Sequence, residues 1–115
     1  LSKLLAPTTL SRFPDVAGRV RAGMVALPIA GVVGALSAMR DRSDNTGLLP
    51  ALAGLPTLVM VGEDDVLTPP DQVRRLAQAI PGARFRVIPE AGHLAPVEQP
   101  EAVNQALRAF LAELG

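Results

Sequence analysis

Pro56-Thr57-Leu58-Val59-Met60-Val61-Gly62-Glu63-Asp64-Asp65, with Thr68-Pro69 shortly after it, decides how the rest of the chain is read. Thr57-Leu58-Val59-Met60-Val61 is a continuous apolar run bounded by Pro56 and Gly62, the pattern of a strand covered on both faces in a parallel sheet. The spacing then predicts a helix. Thr68 is its expected cap and Pro69 its first residue, where a missing N–H costs nothing. Asp71 completes a capping-box-like pair, and Val73, Leu76, Ala77 and Ile80 form the apolar face. Pro81-Gly82 stops this helix, and Phe85-Arg86-Val87-Ile88 reads as a second strand. Pro100 opens a last helix whose expected buried face is Val103, Leu107, Phe110, Leu111 and Leu114. The order is βαβα and the class α/β. A right-handed crossover makes the two strands parallel, so the loops that follow them open on one edge. In open α/β sheets that edge is where ligands bind.

Those two loops are Gly62-Glu63-Asp64-Asp65 and Glu90-Ala91-Gly92-His93, and they carry an acid and the only histidine to the same rim. Between Asp65 and His93 lie one helix and one strand, the length a parallel return requires. A carboxylate that accepts the imidazole Nδ1–H fixes the tautomer and leaves Nε2 free to take a proton from a nucleophile. On the residues alone, Asp64 and Asp65 both qualify as that carboxylate. A histidine beside glycine is often only a solvated turn residue; its position after the acid and after a second strand favours the paired reading. No nucleophile accompanies the pair. Nothing has the form Gly-x-Ser-x-Gly, and none of Ser2, Ser11, Ser37 and Ser43 lies between a strand and a helix with flanking glycines. Glu63, Asp64 and Asp65 do not alternate or end in a glutamate as a calcium loop does.

Before Leu48 to Pro56 the chain reads as helices joined by proline and glycine turns. Val16, Val20 and Leu27 follow Asp15, the expected cap, and Ile29, Val32, Val33, Leu36 and Met39 form a second stripe. Ala22 to Met39 is an uncharged run of eighteen residues, the lower edge of what spans a bilayer. Pro28 breaks it and Gly31 and Gly34 weaken it, so the expectation is a helical pair buried on protein, with no membrane. Length allows one small domain. The 11 basic and 11 acidic residues balance without a cluster, which argues against nucleic acid and for a small neutral or apolar partner. With no cysteine and one histidine, a metal centre is not expected, nor is any cofactor. The chain starts at Leu1 without a visible signal peptide, and a cytoplasmic setting is expected.

These residues resemble the C-terminal part of the α/β-hydrolase family. The resemblance rests on the stretch from Pro56 to Asp65, on Thr68-Pro69, on Ala91-Gly92-His93 and on Glu98-Gln99-Pro100-Glu101, and runs from Pro56 to the end. The helical first half, with Gly31-Val32-Val33-Gly34-Ala35-Leu36-Ser37-Ala38-Met39 and Asp44, looks like the lid of members similar to 3-oxoadipate enol-lactonase and related esterases. The resemblance implies that Asp65, three residues after the strand-ending glycine, is the triad acid and His93 the base. It divides the chain into a lid or cap segment, 1–48, and the C-terminal βαβα part of the core, 49–115. Strands, oxyanion loop and nucleophile elbow would then lie outside the chain, which alone would be inactive. The implied parent is a serine hydrolase of small apolar esters or lactones. An upstream aspartate nucleophile would instead make it a dehalogenase or epoxide hydrolase. A non-catalytic module is the third possibility. The implied partner is the missing N-terminal half, or a second copy meeting an exposed sheet edge.

Overall fold

The computed structural model describes residues 1–115. Its elements are α1 (Pro7–Arg12), α2 (Pro14–Val25), α3 (Ile29–Asp41), a 3-10 helix (Thr46–Leu52), β1 (Leu58–Gly62), α4 (Pro70–Gln78), β2 (Arg84–Ile88), α5 (Ala95–Glu98) and α6 (Pro100–Ala112). Strands β1 and β2 pair in parallel, from Leu58 opposite Arg84 to Gly62 opposite Ile88. The expected βαβα order is therefore present, with α4 as the crossover and α6 packed on β2. The short helices α1 and α5 were not anticipated; each is too brief for a periodic signal and each begins at or next to a proline.

Two expected caps are not formed. Thr68 does not cap α4: Pro69 holds that position and Pro70 opens the helix. The Thr68 hydroxyl and N–H are both committed to the Asp65 carboxylate instead. Asp15 lies inside the first turn of α2, which Pro14 opens behind Phe13. Its charge still suits the helix N-terminus.

The core is small and sits beneath the His93 loop. Ile88, Ala91, Ala95 and Val103 are buried together, with Met60, Ala102 and Ala106 packed against them. Of the expected α6 face only Val103 is buried; Leu111 stays 61% exposed and Leu114 50% exposed. Likewise Ala77 and Ile80 are buried beside α4 while Leu76 is not. The cause is geometric. Two strands are about 5 Å apart, so the sheet covers a single row of each helix's apolar residues. Helices α2 and α3 contain no buried residue, and Val25 and Ile29 are 74% and 83% exposed, so the expected burial of this pair is not met within the chain. No single helix is long and apolar enough to cross a membrane; α2 and α3 together have the length but bend by 95° at Pro28.

Candidate active site

The strand ends meet through glycine. A Cβ on Gly62 would overlap the carbonyl oxygens of Ala91 and Gly92, and one on Gly92 would lie 2.7 Å from the Ala6 nitrogen. Only hydrogen at both positions lets the two loops and the segment before α1 close on one another. Backbone bonds then fix the first loop: Glu63 N–H donates to Ile88 O at 2.9 Å and Asp64 N–H to Ala91 O at 2.8 Å. Glu90, at φ 52°, is the one non-glycine residue in the left-handed region, held there with its N–H on the Glu63 carboxylate.

This arrangement turns Asp65 inward and leaves Glu63 and Asp64 in solvent. The Asp65 side chain is only 5% exposed. Its Oδ1 accepts the N–H groups of Leu67 and Thr68 at 2.9 and 3.0 Å. Its Oδ2 accepts the Thr68 hydroxyl at 2.7 Å and faces His93 Nδ1 at 3.0 Å. Burial pushes the Asp65 carboxyl up, but the N–H and hydroxyl of Thr68, then His93 and the Leu67 N–H, outweigh it and hold the group below its ordinary value. The carboxylate is thus ionised at neutral pH, and an ionised carboxylate only accepts. That assigns the proton of the neutral imidazole to Nδ1. The Thr68 hydroxyl, 3.5 Å from Nδ1, is already spent on Asp65. Nε2 is left as an acceptor on a ring that is 37% exposed.

Asp65 and His93, the two site residues read from sequence, are therefore brought into contact, and the rival Asp64 is not. A depression of about 320 Å³ opens beside them, with Met60, Val73, Pro96 and Val103 among its walls. No serine lines it. A larger one of about 500 Å³, between the end of α3 and α4, includes neither Asp65 nor His93. No group of three acidic or histidine side chains is placed to hold a metal ion.

One residue of the site had no role assigned from sequence. Glu98 is 5% exposed. It accepts the Gly92 and Leu94 N–H groups on Oε1 at 2.9 and 3.2 Å, and the Ala6 N–H and Thr9 hydroxyl on Oε2, both at 2.7 Å. In the run Glu98-Gln99-Pro100-Glu101 it looks like one more solvated acid before a helix. Its donors at the start of α1, Thr9 within the helix and Ala6 just before it, are 89 and 92 positions away, beyond any local pattern.

Known proteins share this fold. An esterase from Thermogutta terrifontis superposes with a TM-score of 0.92 at 43% identity, over 96% of this chain and 40% of that one. The enol-lactonase of Burkholderia xenovorans LB400 gives 0.85 at 29% identity, over 96% and 41%. BpoC of Mycobacterium tuberculosis, whose name assigns it provisionally to the non-heme bromoperoxidases, is 45% identical over 76 residues, 64% of this chain and 29% of its own length. The chain thus spans about two-fifths of these solved structures and under a third of that relative. A model of the alpha/beta hydrolase fold matches residues 1–100. Because that match runs unbroken from α1 to the start of α6, it takes in the helical half and the strands together, and the chain belongs to the alpha/beta hydrolase fold family.

Proposed function

We propose that Asp65 and His93 are the acid and base of a serine hydrolase acting on small, mostly apolar carboxylic esters or lactones. The serine and the oxyanion donors come from sequence outside these 115 residues, and residues 1–48 serve as its lid. The observation that carries this reading is the 3.0 Å contact from His93 Nδ1 to a buried, ionised Asp65. An imidazole so oriented presents Nε2 as a base. As the serine oxygen bonds to the acyl carbon, its proton passes to Nε2. The imidazolium, stabilised by Asp65, returns that proton to the departing alkoxide when the acyl C–O bond breaks. Water then repeats the cycle on the acyl-enzyme. The neighbouring esterase and enol-lactonase support the substrate class, and the apolar stripes of α2 and α3 suit a greasy acyl group.

The test is an intact-mass spectrum of the complete polypeptide before and after a fluorophosphonate. One adduct, absent after His93→Ala, is expected. Turnover of an apolar ester that survives His93→Ala overturns the reading. Turnover that needs His93 but leaves no adduct replaces the serine with a carboxylate nucleophile.

A further inference from the structure

The Glu98 carboxylate is buried, yet all four of its partners are donors, two on each oxygen. Burying a charge costs several kcal/mol unless its hydrogen bonds are made. Only an ionised carboxylate, which accepts through both oxygens and donates through neither, meets this set; a glutamine would turn an NH2 group toward two donors.

Where the donors lie is the telling point. Gly92 and Leu94 flank His93, and the His93 N–H between them donates to Leu4 O at 2.9 Å. Three successive amides are therefore anchored, two to Glu98 and one to the segment that Glu98 also grips through Ala6 and Thr9. The backbone carrying the imidazole has no free N–H on which to pivot.

We infer that Glu98 is a positioning residue of the hydrolytic site, clamping the His93 backbone to the start of α1 so that Nδ1 stays on Asp65 while Nε2 takes up and returns the nucleophile's proton. The inference rests on the role of His93 proposed above. A displacement of about 1 Å at a reacting group costs about 10²-fold in rate, and the clamp prevents such a displacement.

The experiment compares wild type with Glu98→Gln in the complete polypeptide. Three quantities are read below the melting temperature: kcat and KM, the low-field Nδ1 proton of His93 by NMR, and amide exchange at residues 92–94. Expected are a fall in kcat of about 10- to 100-fold with KM within about threefold, a weakened Nδ1 proton signal, and faster exchange at Gly92 and Leu94. A merely structural glutamate would lower the melting temperature and leave kcat and the Nδ1 proton unchanged, and that outcome overturns the inference. If Glu98→Gln does not fold, wild type decides: amides of Gly92, His93 and Leu94 exchanging at the unprotected rate overturn the clamp, and joint protection supports it. The NMR readouts do not depend on turnover. Activity surviving His93→Ala would thus sink the proposed function while the clamp is judged separately.

Discussion

Asp65 spends both oxygens on donors within its own turn and on His93, so its charge organises the turn as well as the imidazole. In the complete polypeptide, Asp65→Asn and His93→Ala should each lower kcat by about 10⁴. Asp64→Asn should stay within a few-fold, since Asp64 enters the site only through its backbone N–H. Equal losses at the two aspartates in steady-state assays would undo the assignment. The pH dependence has a definite sign. A folded-state value below the ordinary 3.8 means that the unfolded chain binds the proton more tightly. Asp65 then adds stability that is fully present above 3.8 and is lost as pH falls through the folded value. Urea midpoints between neutral pH and pH 3 should show an acid-induced loss that shrinks in Asp65→Asn; an unchanged loss would count against the linkage. That the loops carrying Asp65 and His93 meet was legible in sequence because each follows a strand within a few residues; the choice of Asp65 over Asp64 came from the family resemblance alone. Thr68 was misread because a neighbouring carboxylate competed for the hydroxyl that a cap would use.

At the scale of elements, the two strands, the crossover helix and the last helix follow from apolar runs and proline starts, which are local signals. Their buried faces do not follow, because burial depends on what lies beyond the next strand. Gly62 ties β1 to the loop after β2 so closely that an added methyl meets backbone oxygen, which cannot rotate away as a side chain can. Gly62→Ala should cost about 3 kcal/mol or abolish folding, read from denaturant midpoints at constant m. Wild-type stability in that variant would mean that the loops have more room than they show here. The surface pair Arg84–Glu113 at 2.9 Å, by contrast, joins two well-exposed side chains. Its removal should change stability by less than about 1 kcal/mol.

Across the whole molecule, the radius of gyration is 16.0 Å, where a compact domain of this length has about 13 Å. The accessible surface is 7969 Å², against about 6,000 Å² for a compact monomer of this mass. The surplus, on the order of 2,000 Å² on this one chain, exceeds the roughly 800 Å² that each partner contributes to a standard protein–protein interface. Val25, Ile29, Leu36 and Leu111 are among the exposed apolar side chains, and each strand of the two-stranded sheet has one unpaired edge. Light scattering of the 115-residue chain should show association that grows with concentration; a monodisperse monomer with a cooperative melt would contradict this. The Glu98 clamp also has a consequence in time. Its bonds to Ala6 and Thr9 join residues 92 and 89 positions apart, and contacts of that separation close late in folding. With the role proposed for His93, the histidine is expected to acquire its working geometry among the last events of refolding. In stopped-flow refolding of the complete polypeptide, ester turnover should lag behind recovered helix signal. A half-folded enzyme would carry the parts of its chemistry without yet being reactive.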